Sequence, residues 1–169
     1  MLTKEELDRY NRQVILPSFG VEAQEKLKGA SALVIGVGGL GSVSSLYLVA
    51  SGIGRIGLVD NDTVSISNLQ RQVLYREDEL GISKVERAKE TLGRLNSNVR
   101  IETYNSFLSV ENAISIIKDY DIIIDGTDNF KARYLINDVC IGLGKPFVYA
   151  SIGDYFGQVA IFNFNNNSS

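Results

Sequence analysis

A chain of 169 residues with 44% hydrophobic side chains is long enough to bury one real core, and a formal charge of −3 argues against general nucleic-acid binding. With no histidine and one cysteine, it excludes Ser-His-Asp and Cys-His catalysis, an internal disulfide, and a histidine- or cysteine-cluster metal site such as structural zinc. No apolar run approaches the ~20 residues of a membrane span and Met1 opens no signal peptide, so a soluble, cytoplasmic protein is expected, with no membrane partner.

Thr3 ahead of Glu5 and Glu6 reads as a helix N-cap followed by acids. Leu7, Tyr10, Val14 and Ile15 recur at helical spacing, which predicts one amphipathic helix over residues 2–16, ended by Pro17. Arg12 falls on another face, where spacing alone makes it a solvated arginine. A second short helix is expected over residues 21–28. A short, β-branched apolar run then starts at residue 31, a buried strand expected over 31–36, and enters glycines at 36, 38, 39 and 41. Gly36, Gly38 and Gly41 fit G-x-G-x-x-G: a tight turn, a place where phosphate can approach the backbone, and close packing of the next helix on the strand. That helix, about 40–51, begins where free N–H groups and the positive end of its dipole can hold an anion. A second strand, 55–59, ends on Asp60, 24 positions after Gly36 and near the ~20 expected of a ribose ligand. NAD, FAD and ATP all remain open on this motif.

Residues 61–81 lack any period, and a polar connection of this length is often functional. Ser83 is expected to cap a helix over 84–95. A strand at 100–104, a helix at 110–118, a strand at 120–124, a helix at 130–141 and strands at 147–151 and 157–164 complete the pattern. Residues 165–169 read as a polar tail or a cut end. The alternation predicts an α/β fold: a Rossmann-like, mainly parallel sheet with helices on both faces, preceded by N-terminal helices (residues 1–29) and spanning 30–164 as one domain. Strand 31–36 should lie in the middle. Ligands in such sheets sit beyond the carboxyl ends of the strands, where three polar clusters converge: 36–41, 60–62 and 125–129.

Four side chains could carry chemistry. Asp128 could bind Mg²⁺, which takes oxygen ligands and shares them with phosphates, or could cap the helix starting near Phe130. Lys84 opposes the dipole of its own helix, which a phosphate partner would compensate; otherwise it is an exposed lysine. Arg71 offers a planar fork suited to phosphate, or a surface ion pair. Cys140, on an apolar helical face, reads as a small buried thiol rather than a nucleophile.

Taken in order, Arg9-Tyr-Asn-Arg-Gln13, Gly36-Val-Gly-Gly-Leu-Gly41, Asp60-Asn-Asp-Thr-Val64, Ser67-Asn-Leu-Gln-Arg-Gln72, Gly81 with Lys84, and Asp125-Gly-Thr-Asp-Asn129 resemble the ThiF/MoeB/HesA family of ubiquitin-activating-enzyme-like adenylyltransferases. The resemblance covers about residues 5–163. It implies ATP- and Mg²⁺-dependent activation of the C-terminal Gly-Gly carboxylate of a small ubiquitin-like sulfur-carrier protein, giving an acyl-adenylate and pyrophosphate. By position it implies that Gly39 offers backbone to the phosphates and that Asp60, in a cluster with Asp62, holds the ribose. Asn68, Arg71 and Lys84 would clamp the triphosphate and Asp128 would bind Mg²⁺. Arg12 would act across a homodimer interface, so the resemblance replaces the solvated reading with a functional one. Family members are usually longer, with two Cys-x-x-Cys zinc pairs and much of the carrier surface in a second half. This chain is therefore expected to be an N-terminal ATP-binding part or a short relative. Two other readings stand beside it: an NAD-dependent oxidoreductase, supported by the glycine turn and Asp60, and a truncated, non-catalytic dimerising module.

Overall fold

The computed structural model describes residues 1–164; the expected polar tail at 165–169 lies outside them. The expectation of one N-terminal helix is corrected. Thr3 caps α1 (Lys4–Arg9) through a reciprocal pair, its hydroxyl accepting the Glu6 N–H at 3.2 Å and the Glu6 carboxylate accepting the Thr3 N–H at 2.7 Å. The chain then leaves helical geometry at Tyr10 (φ −97°, ψ 13°) and resumes as α2 (Asn11–Val14). Tyr10 is buried, and Asn96 Nδ2 donates to its hydroxyl at 2.8 Å. Its ring fills the space where a side chain on Gly52 would stand. Seating that ring takes precedence over continuing the helix.

The next helix, α3 (Gly20–Gly29), carries Gln24, fully buried, whose Nε2 donates to the Ser51 carbonyl at 2.8 Å. Gln13 Nε2 donates to Gln24 Oε1 at 2.9 Å and to the same carbonyl at 3.1 Å. The N-terminal helices are thus pinned to the far end of α4.

The remaining elements follow the predicted alternation: β1 (Ser31–Ile35), α4 (Gly39–Ser51), β2 (Arg55–Val59), α5 (Lys84–Leu95), β3 (Arg100–Tyr104), α6 (Ala113–Ile117), β4 (Ile122–Asp125), α7 (Phe130–Leu143), β5 (Phe147–Gly153) and β6 (Phe156–Phe162). They build one six-stranded sheet in the order β3-β2-β1-β4-β5-β6, parallel except for β6, which runs antiparallel to β5. This is the α/β, Rossmann-like fold that the sequence pattern predicts, with β1 inside the sheet. Several boundaries move: α7 and β5 run two residues past the expected 141 and 151, and β6 ends at Phe162 rather than 164. The helix expected over 110–118 shrinks to α6, because Asn112 Oδ1 accepts the Ser109 N–H at 2.8 Å and holds residues 109–112 in a turn. The strand expected from 120 starts at 122, because the Tyr120 N–H still bonds back to Ile117 at 3.2 Å.

Every residue of β1 is buried, as a central parallel strand requires. Its alternate side chains feed two cores. Ala32 and Val34 pack with Val49 of α4 and Leu92 of α5, while Leu33 and Ile35 pack with Ile117 of α6 and Ile136 and Cys140 of α7. Cys140 is fully buried, and burial pushes its thiol up to about 12, so it is an inert packing group. Among the described residues no helix is long and apolar enough to cross a membrane.

Candidate functional site

The strand order reverses between β1 and β4, and the register sets Ile35 beside both Val59 and Asp125. The carboxyl ends of these strands therefore finish together, and a cleft of about 1160 Å³ opens beyond them. Gly36, Gly38, Gly39, Asp60, Asp62, Asn68, Arg71, Lys84 and Asp128 all line it. Gly41 lies buried under the turn instead. Arg12 is exposed on α2 and does not line this cleft.

Gly36 sits at φ +83°, and a Cβ there would come within 2.8 Å of the Gly126 carbonyl oxygen. Gly126 in turn rests on the turn, where an added Cβ would meet the Gly36 oxygen at 2.6 Å. The glycine turn and the β4–α7 loop are therefore in backbone contact, which brings Asp128 to the cleft. No side chain caps α4: its N-cap is Gly38, so its first N–H groups face the cleft without a built-in acceptor.

Asp60 organises this end. Its Oδ2 accepts the Val37 N–H at 2.8 Å and its Oδ1 accepts the Asp62 N–H at 2.9 Å, which ties β2 to the glycine turn. The aperiodic segment 61–81 is ordered, with two 3-10 turns at Ile66–Asn68 and Glu77–Glu79. The Asn68 carbonyl accepts the N–H groups of Arg71 and Gln72 at 3.1 and 3.0 Å, and Arg71 Nη1 returns to the Ser67 carbonyl at 3.2 Å. The Arg71 stem passes over the glycine turn, its Cδ 3.5 Å from where a Cβ on Gly39 would stand. Arg71 thus makes no ion pair among the described residues and hangs over the cleft.

Two expectations about caps are corrected. Asn129, not Asp128, caps α7, its Oδ1 accepting the Ala132 N–H at 2.9 Å. This leaves the exposed Asp128 carboxylate without a hydrogen bond or ion pair among the described residues. The Ser83 hydroxyl does not cap α5, and its oxygen is buried with no hydrogen-bond partner among the described residues. A third correction concerns Lys84, which is not a solvated lysine: it is 3% exposed and its Nζ meets Asp62 Oδ2 at 2.9 Å.

Sequence reasoning missed three residues as parts of the site. Tyr75 is buried and donates from its hydroxyl to the Val37 carbonyl at 2.7 Å, anchoring the aperiodic segment to the glycine turn; burial, then the charge of Asp60, raises its pKa. The apolar triplet Val73-Leu74-Tyr75 inside a polar segment was the available signal. Gln72 lines the cleft although buried, and its Oε1 has no hydrogen-bond partner among the described residues. Arg133 donates to the Thr127 carbonyl at 2.7 Å and lies 4.8 Å over the Tyr149 ring, bracing the loop that carries Asp128. Asp125 completes that brace: its Oδ1 accepts both the N–H and the hydroxyl of Thr127, at 2.9 and 2.7 Å. Burial raises the Asp125 pKa, and its Oδ2 accepts no hydrogen bond among the described residues.

The sequence profile of the ThiF family matches residues 10–169. The chain is 52% identical over 161 residues to a sulfur carrier protein adenylyltransferase of Thermus thermophilus, an alignment covering 95% of this chain and 59% of that protein. Among solved structures, PaaA superposes with a TM-score of 0.85 at 35% identity, covering 99% of this chain and 54% of that one. The E. coli tRNA N6-threonylcarbamoyladenosine dehydratase TcdA, solved in complex with ATP, superposes with a TM-score of 0.82 at 26% identity, covering 87% of this chain and 60% of that one. The chain therefore spans between about half and three fifths of the length of each. By its profile match, its six-stranded sheet and its glycine turn, this chain belongs to the ThiF family.

Proposed function

We propose that this domain binds ATP with Mg²⁺ and adenylates the C-terminal carboxylate of a small ubiquitin-like sulfur-carrier protein, releasing pyrophosphate. The observation that carries the reading is the cleft itself. It gathers a helix N-terminus with no side-chain cap, the cations Arg71 and Lys84, and the unpartnered carboxylate of Asp128. The name of the Thermus relative and the ATP complex of TcdA support it.

In the reaction, a carboxylate oxygen of the carrier attacks the α-phosphorus of ATP. The bond to the β-phosphate breaks, and pyrophosphate leaves with the electron pair. The nucleophile is already deprotonated, so no general base is needed and a histidine-free site suffices. Catalysis is alignment plus stabilisation of charge on oxygen. The N–H groups at the start of α4 receive phosphate. Asp60 accepts from the ribose hydroxyls with the lone pairs left by Val37 and Asp62. Asn68, Arg71 and Lys84 clamp the triphosphate. Asp128 fits Mg²⁺, which binds through one or two carboxylates plus phosphate oxygens; the ion, when bound, neutralises phosphate charge.

Calorimetry tests the site. ATP should bind more tightly with magnesium than without, and Asp128→Ala should remove most of that difference. Equal affinity in both conditions would count against the magnesium site, and tighter binding of NAD would favour the oxidoreductase reading instead.

We read Arg12 as acting in trans within a homodimer. It is exposed, it does not line its own chain's cleft, and it sits on the N-terminal helices beside the exposed apolar side chains Ile15, Leu16 and Val21. Sedimentation should find a dimer, and a monomer at all concentrations would remove the trans role.

A further inference from the structure

We infer that Asp62 is a positioning residue for Lys84: its carboxylate holds the buried ammonium at the cleft wall, where the amine can meet the phosphates of the nucleotide. This rests on the ATP reading above.

Lys84 is nearly fully buried in the first turn of α5, where the helix dipole disfavours a cation. A buried ammonium needs a compensating anion, and Asp62, at 2.9 Å with a side chain 60% exposed, is the carboxylate the structure gives it. The two residues are joined by backbone as well. The Lys84 N–H donates to the Asp62 carbonyl at 2.9 Å, and Thr63 pairs with Ser83 in an antiparallel bridge. Val64 and Ile82 close the next rung at 2.9 Å. Asp62 is itself fixed, since its N–H donates to Asp60 Oδ1 while Asp60 Oδ2 holds the glycine turn. One connected path therefore runs from the glycine turn through Asp60 and Asp62 to the Lys84 amine.

The chemistry also says what Asp62 does not do. A carboxylate is repelled by a triphosphate, so Asp62 is a poor direct ligand for the nucleotide and acts through the cation it holds. An ammonium has three donors; Asp62 takes one and leaves two for an anion in the cleft.

The test is ATP–pyrophosphate exchange and ATP affinity of the full gene product carrying Asp62→Asn, Asp62→Glu, Lys84→Met, and Asp62→Asn with Lys84→Met. Methionine keeps the buried stem of Lys84, and asparagine keeps an acceptor without the charge, so both variants are expected to fold. Asp62→Asn should lower kcat about 10- to 100-fold, with a smaller effect on the KM for ATP. Asp62→Glu should recover part of that loss. In the Lys84→Met background, Asp62→Asn should add nothing further. Unchanged exchange in Asp62→Asn, the same fold loss in both backgrounds, or a loss explained wholly by a lower melting temperature would overturn the inference. If the unmodified protein binds no ATP, the adenylation reading fails first, and this inference falls with it.

Discussion

Arg71→Ala should lower carrier-dependent ATP–pyrophosphate exchange about 10²–10³-fold and leave melting nearly unchanged. The guanidinium is exposed over the cleft, and its hydrogen bond in the structure goes to the Ser67 carbonyl at 3.2 Å. Folding gains little from such a side chain, and removing an exposed residue usually changes stability by only about 0.5 kcal/mol. A donor aimed at charge developing on phosphate oxygens is worth far more to the transition state. The measurement pairs the exchange rate with thermal melting in the full gene product. Unchanged exchange would remove Arg71 from the phosphate clamp, and a large drop in melting temperature would make it structural. From the sequence, Lys84 invites the same prediction. The structure changes it: Lys84 is buried and ion-paired, so its truncation to alanine should reduce stability as well as rate. Arg71 is the cleaner probe.

Gly41→Ala should be the most damaging small substitution in the turn. A Cβ at this position would collide with the Gly36 carbonyl oxygen and come within 3.1 Å of Val34 Cγ1. The first obstacle is backbone in the turn itself, so α4 must move away from β1. A cost of at least ~1–3 kcal/mol follows from forced overpacking, or about 2–4 °C of melting temperature per kcal/mol at this chain length. Nucleotide binding should be lost with it, because the displaced segment carries the N–H groups of the site. Gly39→Ala is the control. There the new atom meets only the flexible Arg71 side chain at 3.5–3.7 Å, so stability should change little. Wild-type melting and ATP affinity in Gly41→Ala would contradict the close helix–strand packing assigned to that glycine.

Much of the fold was legible because its signals are local. The apolar run 31–35, the glycines that end it and the acid at 60 lie within one stretch of chain, and a buried parallel strand must read as continuous apolar residues. Gly36, Gly38, Gly39, Asp60, Asp62, Asn68, Arg71, Lys84 and Asp128 are found on one cleft, as ordered motifs at strand ends suggest. What was hidden depends on contacts between distant residues. Tyr10 breaks the N-terminal helix because it reaches Gly52 and Asn96. Lys84 is buried because Asp62, 22 positions earlier, is brought against it by an antiparallel bridge, and no helical pattern encodes that. The segment 61–81 lacks a period because it folds as 3-10 turns anchored by Leu74 and Tyr75 rather than as a helix or strand. The role of Arg133 rests on a carbonyl of the loop before its helix and on a tyrosine of the next strand, neither of which marks the arginine in the sequence.

The most direct test is ATP–pyrophosphate exchange by the unmodified full gene product, supplied with Mg²⁺ and a ubiquitin-like sulfur carrier ending in Gly-Gly. The account predicts exchange that requires the carrier and disappears when its terminal carboxylate is amidated, since that carboxylate is the nucleophile. Exchange that persists with the amidated carrier, or no exchange with any carrier while NAD binds the cleft, would contradict it.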